Sequence, residues 1–214
     1  MRVVAGRLRG RALKAPDGDA TRPTGARVKE ALFSILADVS DARVLDLYSG
    51  SGALGIEALS RGARSAVFVE SARPALACLR ENLTKLGLSD TAEVLPLRVE
   101  GALAQLRRHG PFDLVLCDPP WRDVLAAWHG LEALAAAGLF APDARVVLEH
   151  AAKDPPPLPE GASRLRRYDE RRWGDTAVSL FEPAEAPDRS GDQASSQGAP
   201  DDPPPSSDRG HPGA

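Results

Sequence analysis

Two short segments carry residue types that could do chemistry. The first reads Asp46-Leu-Tyr-Ser-Gly-Ser-Gly-Ala-Leu-Gly55 and the second Asp118-Pro-Pro-Trp121. In the first, glycines crowd a turn between an apolar run and a helical one. Glycine leaves backbone amides bare, so a ligand can approach them at a helix N-terminus. Such a turn serves either of two cofactors. A dinucleotide sets its pyrophosphate on the loop and needs an acidic residue about 20 positions on for a ribose. Glu70 stands 20 residues after Gly50, so spacing admits that reading. Asp46 weighs against it, because a carboxylate beside the loop repels pyrophosphate. S-adenosylmethionine carries no phosphate; its ammonium and sulfonium are cations that an acidic loop attracts. Asp46 and the backbone of Gly50, Ser51 and Gly52 are therefore assigned to the methionine portion and Glu70 to the ribose hydroxyls. Tyr48 and Ser71 complete this cofactor set. Taken alone, the glycines also suit a tight turn under a closely packed helix, and Glu70 a solvated strand end.

The second segment follows the apolar run Phe112–Cys117 directly. Pro119 and Pro120 fix their own φ angles and remove two backbone donors, leaving a rigid loop with a carboxylate, free carbonyls and an aromatic face. An amino group on a nucleobase is a poor nucleophile, since its lone pair is delocalised into the ring. An acceptor for its hydrogens helps the nitrogen pyramidalise and aim that lone pair at a methyl group. Asp118 would accept one hydrogen and the Pro119 carbonyl the other, while Trp121 stacks on an extruded base. A neutral thioether leaves, so the reaction needs no metal. His109, His129, His150 and His211 are scattered without ligand spacing, and no metal site is expected. No Ser or Cys has a neighbouring His in a nucleophile setting. By itself, Asp-Pro-Pro would read as a strand-ending turn.

The elements that must position these residues alternate between strand-like and helix-like runs. Arg43–Tyr48, Ser65–Glu70, Glu93–Leu97, Phe112–Cys117 and Arg145–Glu149 are short and apolar, as suits strands covered on both faces. Leu54–Arg61, Ala72–Leu86, Gly101–Arg108 and Val124–Ala137 have helical spacing. The alternation predicts an open, mostly parallel α/β sheet with right-handed crossovers. Arg164–Trp173 and Thr176–Phe181 flank Gly174-Asp175, a hairpin signal, and predict an antiparallel pair finishing the sheet edge. Ahead of the sheet, Ala26–Leu36 reads as an amphipathic helix with Val28, Leu32, Ile35 and Leu36 on its apolar face. Met1–Ala15 reads as a small β-hairpin punctuated by Gly6 and Gly10. Cys78 and Cys117 fall in apolar runs, as buried thiols do, and a reducing cytoplasm fits. There is no run long enough to span a membrane and no signal-peptide core.

Charge is polarised along the chain. The whole carries −3, but the last 32 residues hold six acidic and two basic residues, and the rest sums to +1. Eight Lys or Arg against two Asp give the first 29 residues +6. A basic head suits a phosphate backbone, or equally a solvated surface with no partner. The tail from Pro183 to Ala214 has no Leu, Ile, Val or aromatic residue and is expected to be disordered.

Several segments resemble the bacterial 16S rRNA guanine-N2 methyltransferase family. They are Arg22-Pro-Thr-Gly-Ala-Arg27-Val-Lys-Glu-Ala-Leu-Phe, the loop from Asp46 through Glu57-Ala-Leu-Ser-Arg-Gly, Asp118-Pro-Pro-Trp and Trp173-Gly-Asp-Thr176. The likeness runs in order from Val3 to about Phe181. The glycine loop and Asp-Pro-Pro are shared by many amino-methyltransferases; the Arg-Pro-Thr segment behind a basic hairpin is more specific. The resemblance implies a class I S-adenosylmethionine-dependent methyltransferase: α/β, Rossmann-like, a mostly parallel seven-stranded sheet with an antiparallel edge strand, plus an N-terminal hairpin and helix. It implies an RNA-binding extension over residues 1–40 and a catalytic domain over 41–182; the acidic tail over 183–214 lies beyond the likeness. The implied reaction is methyl transfer to N2 of a guanine in 16S rRNA, within assembled or assembling small ribosomal subunits, by a cytoplasmic monomer. Arg7, Arg9 and Arg11 on the hairpin are expected RNA-side residues. Arg22, Thr24 and Arg27 are expected near the active-site mouth, holding RNA phosphate or ordering the catalytic loop, with a capping or ion-pair role equally open for Thr24 and Arg27. Trp121 stands where the family more often has Phe or Tyr. Glu100, after the third strand, is the adenine-side candidate. Other substrates remain open: adenine N6 in nucleic acid or a protein glutamine amide. So do a nucleotide-dependent oxidoreductase and a non-catalytic RNA-binding assembly factor.

Overall fold

The computed structural model describes residues 1–16, 26–156 and 163–184. Arg22 and Thr24 lie outside them, as does the tail expected to be disordered, apart from Pro183 and Ala184. Along the chain run α1 (Ala26–Leu36), β1 (Arg43–Leu47), α2 (Ala53–Ser60), β2 (Ser65–Val69), α3 (Arg73–Leu86) and β3 (Ala92–Leu95). Then come α4 (Leu103–Leu106), β4 (Phe112–Cys117), α5 (Val124–Ala136), β5 (Phe140–Ala151), β6 (Leu165–Trp173) and β7 (Thr176–Pro183), with single 3-10 turns at Val99–Gly101 and Trp121–Asp123.

The seven strands form one sheet in the order β3-β2-β1-β4-β5-β7-β6. Strands β1 to β5 pair in parallel, while β7 runs antiparallel to both β5 and β6. The antiparallel pair thus closes one side of the sheet, as its Gly174-Asp175 turn predicts. Order reverses between β1 and β4, since the chain builds outward to β3 and then returns to the other flank of β1. In open α/β sheets the crevice at such a reversal is where ligands sit.

Both faces of the sheet are covered, which is why the strands read as apolar runs. One core packs α1, α2 and α3 against Val44, Leu114, Leu116, Val147 and Val178. The other packs α4 and α5 against Leu45, Leu47, Val115, Cys117 and Leu148. In α1 the buried apolar side chains are Leu32, Phe33 and Leu36, with Val28 and Ile35 half-buried and Lys29 buried beside them. Both cysteines are buried and free. Trp128 also packs in the core, its ring 4.9 Å from that of Phe181.

Three segments depart from expectation. Strand β5 begins at Phe140, ahead of the expected Arg145, because Phe140 pairs with Phe112 and a register shift then absorbs the polar Asp143. The helix expected over Gly101–Arg108 shrinks to a 3-10 turn and the four residues of α4; one helical turn suffices to bury Ala102 and Leu106. The N-terminal hairpin keeps only one β-bridge, Arg2 to Ala12. Its inner backbone donors go elsewhere. The amides of Val4 and Ala5 donate to the Glu57 carboxylate at 2.8 and 2.9 Å, and the Arg7 amide donates to the Ser60 carbonyl at 2.8 Å. The segment is therefore a strap laid along α2. Gly6 makes this possible: a Cβ there would come within 1.9 Å of the Ser60 carbonyl oxygen.

Candidate active site

Register brings the two chemical segments together. Leu47 pairs with Cys117 across β1 and β4, so Tyr48 and Asp118 leave the sheet side by side at its carboxyl edge. The chain then turns at once on both strands. Tyr48 has φ 56°, a left-handed conformation that costs a non-glycine residue roughly 1–3 kcal/mol and concentrates at functional turns. Burial pushes its phenol pKa up. Gly50 (φ 55°) and Gly52 (φ 83°) complete the turn into α2.

The glycines divide their labour. Nothing lies within 4 Å of a Cβ built on Gly50, so that backbone faces open space. A Cβ on Gly52 would press within 2.5 Å of Leu79 Cδ1, and one on Gly55 within 2.4 Å of Phe68 Cε1 and 2.9 Å of Asp46 Oδ2. Gly52 lets the start of α2 pack against Leu79 of α3 and Gly55 lets it pack against Phe68 of β2, which leaves Gly50 and its neighbours to offer backbone to a ligand.

Glu70 sits just past β2 and clasps the loop. One carboxylate oxygen accepts the Gly50 amide at 2.8 Å; the other accepts the amides of Ser71 and Ala72 at 2.8 and 2.7 Å, at the start of α3. Asp46 is 1% exposed and accepts the Gly55 amide at 2.9 Å. Burial, with the charges of Asp118 and Glu70 adding to it, raises its pKa to about 8 despite that hydrogen bond.

These groups line a cleft of about 1430 Å³ at the carboxyl edge. Asp46, Tyr48, Gly50, Ser51, Glu70 and Ser71 form one wall, Glu100 and its neighbours Arg98 and Val99 a second, and Asp118 to Asp123 a third. Pro119 is buried and anchors the corner, while Trp121 is 40% exposed at the mouth. An exposed indole on a rigid turn is poised to stack. Every predicted catalytic residue, and every predicted cofactor residue but Gly52, borders this one cleft. Among the described residues of the strap, Met1, Ala15 and Pro16 also border it.

The predicted RNA-side residues are not gathered there. Arg7, Arg9, Arg11 and Arg27 are exposed but line no part of the cleft. Arg7 is fastened to the far end of α2, about 10 Å of helix from the glycine turn. Sequence reasoning passed over the residues that hold the strap and loop in place. Glu57 is fully buried and receives Lys29 at 3.2 Å and Arg61 at 2.9 Å besides the two strap amides. Asn82 on α3 bonds both the amide and the carbonyl of Lys14, at 2.8 and 2.9 Å, and donates to the Ser51 carbonyl at 3.0 Å. Glu149, near the end of β5, borders the cleft as well. A polar residue inside an apolar run was the available signal for Glu57 and Glu149; Asn82, set among Arg80, Glu81 and Thr84, carried none.

The site fits a cationic, phosphate-free cofactor. Open space at Gly50 lies beside carboxylates; burial chiefly raises Asp46, the charges of Asp118 and Glu70 add to it, and a positive ligand would relieve that field. With a reversed strand next to the parallel set, the fold is that of the class I methyltransferases, which use S-adenosylmethionine. The family model described as Conserved hypothetical protein 95 matches residues 1–182. Ribosomal RNA small subunit methyltransferase D of Escherichia coli (strain K12) is 36% identical over 183 residues, 85% of this chain and 89% of the relative. The protein of the same name from Haemophilus influenzae is 33% identical over 184 residues, 85% and 93% of the two chains. Among solved structures, a hypothetical protein of Thermus thermophilus matches with TM-score 0.71 at 34% identity, over 85% of this chain and 99% of that one. This chain belongs to that family, the one that contains the small-subunit rRNA methyltransferases D.

Proposed function

We propose that this protein transfers a methyl group from S-adenosylmethionine to the exocyclic N2 of a guanine in 16S rRNA of the small ribosomal subunit. The observation that carries the reading is the convergence of the Asp46–Glu70 wall and the Asp118 corner on one cleft. The names of the relatives support rRNA of the small subunit as the substrate class. Residues 41–182 would form the catalytic domain, and residues 1–40 an extension whose exposed Arg7, Arg9 and Arg11, with Arg22, Thr24 and Arg27, meet RNA. The protein would act as a cytoplasmic monomer; no helix among the described residues is long and apolar enough to cross a membrane.

When bound, the cofactor supplies a methyl group on a positively charged sulfur that leaves as a neutral thioether. Asp46 and the Gly50–Ser51 backbone would hold its methionine end, Glu70 and Ser71 its ribose, and Glu100 its adenine side. Trp121 stacks on the target base. Asp118 and the Pro119 carbonyl accept the two amino hydrogens, so N2 pyramidalises and turns its lone pair to the methyl carbon. As the carbon–nitrogen bond forms, N2 sheds one proton, and Asp118 is the acceptor in place. Positioning and fixed acceptors supply the rate enhancement, which matches a site built of short rigid loops.

Transfer of labelled methyl to naked rRNA, small-subunit particles and DNA, followed by nucleoside analysis, tests this reading. N2-methylguanosine in small-subunit rRNA is the expected product; N6-methyladenine would overturn it. Asp118→Ala should still bind cofactor, with the acid limb of its affinity moved to lower pH, and lose turnover by about 10²–10⁴-fold. Undiminished methylation by that variant would remove Asp118 from the chemistry.

A further inference from the structure

Glu149 sets a carboxylate among the last residues of β5, two positions before the strand ends at Ala151. It is 7% exposed and borders the cleft alongside Asp118 and Trp121. Cys117 pairs with Leu148 across β4 and β5, which sets Asp118 level with Glu149 at the carboxyl edge. Side chains alternate along a strand. Leu116 and Val147 belong to the core under α1–α3, and Cys117 and Leu148 to the opposite one. The next alternation returns both Asp118 and Glu149 to the α1–α3 face. The Asp118 amide still reaches the Leu47 carbonyl at 3.5 Å, so the strand geometry persists to that point. The backbones of these two acidic residues thus stand about one strand spacing apart, ~4.8 Å, at the border of one cleft. An apolar residue would fill this position of β5 at no desolvation cost, whereas a carboxylate there is expensive to bury.

A carboxyl group offers acceptor oxygens on both of its arms. On guanine, the ring N1–H donor lies next to the N2 amino donors. On adenine and on 2-aminopurine, N1 carries a lone pair instead. We propose that Glu149 accepts the N1–H of the target guanine while Asp118 accepts from N2, so that the site selects purines protonated at N1. The inference rests on the reading of the substrate as guanine N2. Neighbouring acceptors on adjacent strands match neighbouring donors on one base edge, and a base lacking N1–H would set a lone pair against Glu149.

The test uses small subunits reconstituted with rRNA that carries guanine or 2-aminopurine at the methylated nucleotide. Both bases offer the amino group; only guanine offers the N1 proton. The wild-type protein should prefer guanine by at least ~100-fold in kcat/KM, as sites built around a substrate donor do. Glu149→Gln, whose amide can accept from or donate to N1, should narrow that preference to under ~10-fold. Cofactor binding by calorimetry should stay unchanged. Should Glu149→Gln fail to fold, Glu149→Met removes the acceptor with an apolar side chain of similar length, and it should lose the preference too. Equal methylation of both bases by the wild type overturns the inference without any variant. So does a preference that survives in either variant. A wild-type product other than N2-methylguanosine would instead sink the substrate reading on which the inference stands.

Discussion

Asp46 should make cofactor binding release a proton. Its carboxyl is fully buried, with Asp118 and Glu70 nearby, and its pKa is raised from 3.8 to about 8. In the free protein at pH 7 only about one molecule in ten would carry the Asp46 carboxylate, and at pH 6 about one in a hundred. If the cationic cofactor selects the ionised form, its apparent Kd is the intrinsic value divided by that fraction. Affinity should then weaken about tenfold from pH 7 to pH 6 and strengthen toward pH 8. The α-amino group of the cofactor titrates near 8 as well, so the profile should peak there and decline on the alkaline side. Asp46→Asn keeps an acceptor for the Gly55 amide but holds no charge; it should bind more weakly and lose the acid limb. Asp118→Asn removes one of the charges that lift Asp46 and should move the limb to lower pH. The same shift acts on stability. A folded-state pKa above the unfolded one means that the native state holds the extra proton between pH 4 and pH 8. Stability should fall across that window and level off above it, by as much as about 6 kcal/mol. Asp46→Asn should remove that slope and melt at higher temperature at pH 8. Calorimetry at pH 6, 7, 8 and 9 in two buffers of different ionisation enthalpy reads both affinity and proton count. Constant wild-type affinity over that range, with no buffer-dependent heat, would refute the reasoning.

Two other expectations concern the strap. Neutralising Arg7, Arg9 and Arg11 together should lower the slope of log affinity for RNA against log salt by about 2 to 3, read from filter binding at several salt concentrations; an unchanged slope would take the strap out of the RNA interface. Glu57→Ala leaves Lys29, 3% exposed, without its carboxylate partner and frees the two strap amides. The cost should be about 3–5 kcal/mol in a denaturant melt, and a loss under ~1 kcal/mol would show that the strap lifts off and lets water reach Lys29.

Much of the fold was legible because parallel strands are buried on two faces and so announce themselves as apolar runs. Boundaries moved where pairing overrode pattern, as at Phe140, held in the sheet by Phe112. The site was legible at its glycines and its prolines, residues whose backbone effects are local. It was illegible wherever a polar side chain finds its partner far along the chain. Glu57 meets Val4 and Ala5, Asn82 meets Lys14, and nothing at either end of those contacts marks the other. The same distinction separates the loop glycines. Spacing alone offered Gly50 and Gly52 as equals, but Gly52 exists to let Leu79 approach and Gly50 to leave backbone open. The pairing of β1 with β4 stands between these cases. It is not written at either strand; it follows from right-handed crossovers that carry the chain out to β3 and back. Once that pairing holds, Leu47 opposite Cys117 forces Tyr48 and Asp118 to emerge together. The meeting of the two segments is then a consequence of topology, and substitutions within either loop should alter the chemistry without separating its parts.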